Sequence, residues 1–419
     1  MALKRRDFLK RGVTFVSLSL ASSHMMMQTS NAGNSVFAQA SNLSSENRML
    51  VVIQMGGGND GLNTVVPYGN GLYYDARPTL AIPESDVLTI NNEIGLNPNM
   101  TNFKKFYDEG KMAIVQGVGY PNPNRSHFRS TDIWETANPE TVVGSGWLGN
   151  YLDATLCESS CATGIPAASV GRALPLSLRG EQIVVPSIAS LESFQFQTNE
   201  RYPQDRDAQV NTVTAINESM SNGDSYGATV ATTGLSAMRS ADQIQEAASQ
   251  YDSPVDYPQN PFAQGLQLLA QMIGGGLGTQ IMHVSIGGFD THAEQPDAHA
   301  NLLNSVDTGV AAFYEDLVSM GVSDDVLLMS FSEFGRRVRE NGSSGTDHGT
   351  AAPMFILGNP TVSGIYGQHP GLGVNALDNN GDMAHHVDFR SVYSTVLENW
   401  LGVDPTDILG ARYENLGFV

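Results

Sequence analysis

Hydrophobic positions along the chain form short unbroken runs that stop abruptly in polar, glycine-rich segments. Met49 to Gln54 (MLVVIQ) runs into Met55-Gly56-Gly57-Gly58-Asn59-Asp60-Gly61. Met112 to Gly117 (MAIVQG) runs towards Asn124-Arg125-Ser126-His127-Phe128. Ile281 to Ile286 meets Gly287-Gly288-Phe289-Asp290-Thr291-His292, and Val326 to Phe331 meets Ser332-Glu333-Phe334-Gly335-Arg336-Arg337. Pro353 to Leu357 follows Thr346-Asp347-His348-Gly349. Apolar runs of this length without alternation predict strands buried on both faces, as in a parallel sheet.

Between these runs the period changes. Asp297 to Met320 carries Leu302, Leu303, Val306, Val310, Phe313 and Leu317 at helical spacing, and Phe389 to Leu401 carries Val392, Val396, Leu397 and Trp400 similarly. Alternating strands and helices predict an α/β sheet with helices on both faces. The stretch 196–260 differs. It is rich in Ser, Asn, Gln and Asp, with two helix-like pieces at 207–220 and 227–251, and reads as a polar helical insertion or cap.

In open α/β sheets, ligands gather at the carboxyl ends of the strands. Asp60, Ser126, His127, Asp290, His292, Glu333, Arg336, Asp347 and His348 all lie beside strand runs, so remote segments are expected to meet on one edge. Carboxylates and imidazoles are the donors that hold zinc or another divalent cation. A hydroxyl beside such a cation becomes a nucleophile. Each residue also has a plainer role. Asp60 fits a turn cap, Ser126 fits the N-cap of a helix opening Ser-His-Phe, and Glu333 fits a surface pair with Arg336 or Arg337. Asp290 and His292 are two apart, so an extended segment points both the same way. His283 reads as a hydrogen-bonded core histidine, His299 as solvated, and His385 and His386 as an exposed polar turn. Gly56, Gly58 and Gly61 match the dinucleotide fingerprint in letters only. The continuation Leu62-Asn63-Thr64-Val65-Val66-Pro67 reads as extended, where the fingerprint needs a helix.

Charge narrows the function classes. The 419 residues hold 22 Lys and Arg against 43 Asp and Glu, a net charge of −21. The first forty hold five basic residues and one acid, so the remainder is more acidic still. Such a body repels phosphate backbones and excludes a nucleic-acid partner. Arg5-Arg6-Asp7-Phe8-Leu9-Lys10, a weakly apolar stretch from Gly12 to Leu20, and Ala38-Gln39-Ala40 follow the order of a secretory peptide. The arginine pair points to the twin-arginine export machinery. Residues 1–40 are therefore expected to be removed, leaving a domain at 41–419 that is periplasmic or extracellular, with no membrane span. Cys157 and Cys161 close a very short loop if bridged; two free thiols are equally compatible with the spacing.

The ordered motifs VVIQMGGGNDGLNTVVPY, GVGYPNPNRSHF, IWETA, GWLG, GGFDTH, FSEFGRRVREN, GTDHGTAAPMFILG and DFRSVYSTVLENWLG resemble the secreted bacterial family catalogued as domain of unknown function 1501. The likeness covers nearly the whole chain from Arg5 to the C-terminus, except roughly the polar stretch 196–260. That family is similar in turn to the alkaline-phosphatase and sulfatase superfamily. The resemblance implies a three-layer sandwich with a mostly parallel central sheet, a divalent-metal site and a hydroxyl nucleophile. Carried over, Asp60 matches a second-metal ligand, and Asp290, His292 and His348 match first-metal ligands. Ser126 matches the nucleophile, with Thr131 as a fallback. Glu333 can replace the superfamily's aspartate, but Phe334 stands where the adjacent histidine falls and cannot ligate. This departure implies one cation (zinc, manganese or calcium), with Arg336 or Arg337 supplying positive charge in place of a second.

Two function classes fit these residues. One is an exported metal-dependent hydrolase acting on small phosphate or sulfate esters or glycans, with Ser126 as nucleophile. The alternative is a non-catalytic exported binding protein on the same fold, recognising a glycan or a cell-surface partner. The family resemblance also implies a secreted protein partner.

Overall fold

A computed structural model describes residues 48–155, 165–196, 198, 202–223, 225–369 and 371–419. The export segment, Cys157 and Cys161 lie outside the described residues. The strands are β1 (Met49–Met55), β2 (Val65–Val66), β3 (Leu88–Thr89), β4 (Gly95–Leu96), β5 (Met112–Gly119), β6 (Ala167–Val170), β7 (Ser187–Ile188), β8 (Ile281–Ile286), β9 (Val326–Phe331), β10 (Ala352–Leu357), β11 (Gly364–Tyr366) and β12 (Val387–Asp388). All five apolar runs are strands. The main sheet runs β11-β5-β10-β9-β1-β8-β6-β7, with β12 also paired to β5; β2, β4 and β3 form a separate small sheet.

β10 is antiparallel to both its neighbours, β5 and β9, while the other pairings of the main sheet are parallel. The reversal has a positional consequence. The segments leaving β1, β5, β8 and β9 emerge on one edge, and the segment entering β10 arrives there too. His348 thereby joins residues whose strands point the opposite way.

Alternation along β1 sorts its side chains between two cores. Val51, Ile53 and Met55 face a layer built from the helices Thr101–Asp108, Pro261–Gly274 and Gln295–Met320. Leu50 and Val52 face a layer built from His127–Thr136, Trp147–Thr155 and Phe389–Thr395. Each fully buried Val, Leu or Phe contributes about 1.5–3 kcal/mol, and both layers act on every central strand. That explains runs without polar alternation.

The helix Gln295–Met320 starts with a proline in its first turn and stops at Gly321, whose φ of 74° closes the last turn. The helix opened at Phe389 ends at Thr395 and continues as a π-turn over Val396–Trp400, so the single predicted helix is two conformations. The polar stretch contributes Arg206–Met220 and Tyr226–Gln250, and Ala241 and Ile244 of the latter enter the core. The segment after β1 does turn helical, at Gly61–Thr64, but for four residues only before β2.

Two histidines depart from their sequence reading. His299 is buried, not solvated, and its Nε2 lies 2.9 Å from Asn59 Oδ1. The loop after β1 folds over this helix face, a tertiary contact that helical periodicity does not reveal. His283 is buried on β8, but neither ring nitrogen has a hydrogen-bond partner. Burial pushes its pKa down to about 4, which keeps the ring neutral.

Glu135 is also buried, near the end of the helix His127–Thr136, with Oε2 accepting from Leu176 N at 2.5 Å. Burial, opposed by bonds from Leu176 and Ser177 and by Arg179 and reinforced by Asp132, pushes its carboxyl from 4.5 up to about 7. Below 4.5 the group is protonated in both folded and unfolded chains; between 4.5 and about 7 only the unfolded chain ionises it. Stability therefore falls as pH rises through that window, by roughly 3 kcal/mol from this group. Urea titrations at the two ends of the window are expected to show this loss, and Glu135→Gln is expected to remove it.

Candidate metal centre

Glycine sets the floor of the site. Gly57 and Gly58 follow β1 with φ of 120° and 79°. A Cβ on Gly57 would stand 2.4 Å from Asp290 N, and one on Gly58 would stand 2.4 Å from the Phe334 ring. The bare backbone turns its carbonyls inward instead. Arg336, wholly buried, donates from Nε to Gly58 O at 2.7 Å, from Nη1 to Thr346 O at 2.9 Å, and from Nη2 to Phe289 O at 2.9 Å and Asp290 Oδ1 at 2.6 Å. A further bond from Nη2 reaches Gly57 O. One guanidinium thus ties the β1 exit, the β8 exit and the segment entering β10.

Three imidazoles converge on Asp290. Its Oδ1 lies 3.0 Å from His292 Nε2, 3.0 Å from His348 Nε2 and 3.4 Å from His127 Nε2. Each ring is held from behind through Nδ1. His127 Nδ1 sits 2.7 Å from Glu333 Oε1, His348 Nδ1 sits 2.9 Å from Arg125 O, and His292 Nδ1 sits 3.1 Å from Asp347 Oδ1. Carboxylates and carbonyls only accept, so the neutral rings carry their proton on Nδ1 and turn an Nε2 lone pair inward. Gly57 N donates to Glu333 Oε1 at 2.9 Å and fixes that carboxylate in turn.

The inward lone pairs are not satisfied by protein. His127 Nε2 is buried with no hydrogen-bond partner. His292 Nε2 and His348 Nε2 face each other at 3.0 Å. A single carboxylate oxygen that already accepts from Arg336 cannot pair with three imidazoles as well. One donor atom each from His127, Asp290 and His348 lie within 4.8 Å of one another. A tetrahedral cation with bonds of 2.0–2.1 Å separates its ligands by about 3.3 Å, and the observed contacts to Asp290 bracket that value. The donor set fits a divalent cation. Behind it, Phe334 packs its ring 4.9 Å from His127 and 4.8 Å from His348.

Charge follows the same arrangement. Burial works against ionised Asp290, but the hydrogen bond from Arg336 and the charge of its guanidinium outweigh it and hold the carboxyl at about 2. The His292 hydrogen bond lowers Asp347. With both carboxylates and Glu333 set against one guanidinium, the cluster has room for positive charge.

The other sequence candidates take separate positions. Asp60 lies beneath the cradle, wholly buried, with Arg77 Nη1 2.6 Å from Oδ2 and Gln295 Nε2 donating to the same oxygen. Burial opposes its ionisation, and Arg77 outweighs burial and lowers its pKa. Gln295 links the two levels, since its Oε1 accepts from Thr346 Oγ1 at 2.6 Å. Glu333 touches His127 through the ring nitrogen that faces away from Asp290. Ser126 precedes the helix His127–Thr136 as an exposed N-cap residue without a side-chain cap bond. Arg336 has its donors on backbone carbonyls and Asp290, while Arg337 is partly exposed beside Asp382. The sequence pattern brings His127 and Asp347 to this edge without assigning either a ligand role, and it does not point to Arg77 or Gln295, which hold Asp60. The available signal for His127 is its place, one residue beyond a helix cap at the end of a strand.

A family model described as "Protein of unknown function (DUF1501)" matches residues 111–413. No curated protein matches the chain. Among solved structures, the C-terminal periplasmic domain of EptC from Escherichia coli is similar at 10% identity, over 89% of this chain and 87% of that one, with a TM-score of 0.40. The lipoteichoic acid synthase LtaP from Listeria monocytogenes is similar at 9% identity, over 89% and 79%, with a TM-score of 0.37. A protein in the alkaline phosphatase superfamily from Vibrio parahaemolyticus is similar at 10% identity, over 91% and 72%, with a TM-score of 0.37.

Arg336 carries a testable consequence. Lysine has three donors on a point charge and cannot reproduce the five directed bonds made here. Arg336→Lys is expected to lower unfolding stability by roughly 3–5 kcal/mol, because carbonyls and a carboxylate lose their partner. The urea midpoint measured against the unsubstituted protein checks it.

Proposed function

The chain belongs to the DUF1501 family of unknown function, and from that premise we propose that it is an exported, metal-dependent hydrolase-like protein acting on small phosphate or sulfate esters. The observation that carries the reading is the pair of imidazole nitrogens, His292 Nε2 and His348 Nε2, 3.0 Å apart with each Nδ1 committed elsewhere. Two inward lone pairs at that distance repel unless a cation lies between or beside them. His127 and His348 would hold it with Asp290, and His292 adjoins them. When bound, such an ion polarises an ester oxygen and acidifies a water.

The residues have separable roles in this reading. Glu333 and Arg125 O keep His127 and His348 in the ligating tautomer, the part that outer carboxylates and carbonyls play at metal sites. Arg336 orients Asp290. Phe334 keeps water from the inner face of the rings. Ser126 offers its hydroxyl at the start of the helix His127–Thr136, where unpaired N–H groups favour an anion. Nitrogen donors favour zinc over calcium, which takes six to eight oxygens. The arginine pair near the N-terminus and the acidic body support export, through the twin-arginine route, to the periplasm or beyond.

A second reading also has an observation behind it. Three imidazoles and Asp290 are four protein donors, and four closed ligands are the pattern of structural zinc. The protein would then bind a glycan or a cell-surface partner without turnover.

Calorimetry of the mature protein is expected to show one zinc per chain and no competition by calcium. Glu333→Gln, which leaves all donors to the ion in place, is expected to weaken zinc by about 10–100-fold. Unchanged affinity would remove Glu333 from the account. With zinc present, a panel of aryl phosphates and sulfates is expected to turn over, and Ser126→Ala to abolish it. Inertness of the loaded, folded protein would favour the binding reading.

A further inference from the structure

The segment from Tyr120 to Ser130 leaves β5 and opens the helix His127–Thr136. It carries His127 and the Arg125 carbonyl behind His348 Nδ1, with Ser126 between them. Helix and sheet bonds do not fix its shape. Pro121 and Pro123 each lack an N–H, and Asn122 between them has a φ of 54°, in the left-handed region that asparagine tolerates. Side chains close the segment end to end instead. Tyr120 OH lies 3.2 Å from Ser130 Oγ, ten positions on, and both residues are buried.

The protons in this closure have one arrangement. A backbone N–H only donates, so Tyr120 OH accepts from Asn124 N at 2.9 Å. A carbonyl only accepts, so Ser130 Oγ donates to Glu333 O. The single Ser130 hydroxyl proton is then committed, and the middle bond runs from Tyr120 to Ser130. The relay is directed throughout, from Asn124 through both hydroxyls to Glu333. Its two ends are the residues that frame His127. Asn124 Oδ1 accepts from Ser126 N at 2.8 Å, directly before the histidine, and Glu333 Oε1 sits 2.7 Å from His127 Nδ1. The hydroxyls themselves bond to Asn124, to each other and to Glu333 rather than to a cradle ring.

We infer that Tyr120 and Ser130 are positioning residues for the cation: their relay holds His127 and the Arg125 carbonyl in register with Glu333, and so sets how tightly the site binds zinc. This rests on the cation reading and adds the residues that organise the site before an ion arrives. A hydroxyl pair that served stability alone would move the urea midpoint and leave the ion's affinity untouched.

Zinc titration calorimetry of the mature protein tests the relay. Tyr120→Phe keeps the ring and its edge contact with Phe389 but removes the middle donor. It is expected to weaken zinc about tenfold, the lower end of the range for groups that orient metal ligands. Ser130→Ala is expected to weaken zinc at least as much, and the double variant no more than Ser130→Ala alone, because the hydroxyls act as one chain. Asp307→Asn is the stability control. It loosens the start of the helix Thr101–Asp108 and is expected to leave zinc affinity unchanged. Nitrogen-15 spectra of the zinc-free protein with labelled histidine give a second readout: His127 protonated on Nδ1 in the unsubstituted chain, and mixed tautomers in Tyr120→Phe. Tyr120→Phe carries the test by itself if Ser130→Ala does not fold. Unchanged zinc affinity and an unchanged His127 tautomer in Tyr120→Phe would overturn the relay and leave the cation site standing. Additive losses in the double variant, or an equal loss in Asp307→Asn, would also overturn it. No zinc binding by the unsubstituted protein would overturn the cation reading and the relay together.

Discussion

A buried guanidinium holds the functional edge of this protein together. Arg336 lies between three chain segments that meet only because β10 runs against its neighbours. Its bonds to Gly57, Gly58, Phe289 and Thr346 carbonyls leave a single side-chain partner, Asp290. A charge removed from water costs several kcal/mol unless it is paired and hydrogen-bonded, and here four backbone carbonyls and one carboxylate oxygen surround it. The two positive-φ glycines are part of that shape, because any side chain at either position would meet backbone or the Phe334 ring.

The cradle above this knot is strained in an electrostatic sense. Three rings are locked from outside by acceptors, and their free nitrogens converge on an oxygen already engaged. Such an arrangement stabilises nothing in the folded chain by itself. His292 and Asp290 are half-exposed, but His127 Nε2 is buried without a partner; such an atom costs stability, so its place at one edge of an otherwise well-packed sheet points to something that binds there. A divalent cation meets the geometry, the charge and the donor chemistry together.

Much of the fold was legible in the sequence because the central strands are buried on both sides, and continuous apolar runs survive any reading frame of alternation. β6, β7, β11 and β12 were missed, since two to four residues at the sheet margin leave too short a pattern. The helix Pro261–Gly274 was also missed, lying close behind a polar stretch that masks its start. At the site, Asp290, His292 and His348 were visible as polar residues abutting strands, and they meet. Asp60 was visible for the same reason but pairs with Arg77, seventeen residues on in a helix-turn excursion that no local pattern announces. His127 was overshadowed by the more reactive-looking Ser126 beside it. Its role depends on Glu333, 206 residues away, and long-range pairing of that kind leaves no periodic trace.

The most direct test of the cation claim is anomalous scattering at the zinc edge from crystals of the mature protein equilibrated with zinc. One peak per chain bounded by His127, Asp290 and His348 is the result this account requires. Absence of a peak there, or a peak beside Asp60 instead, would contradict it.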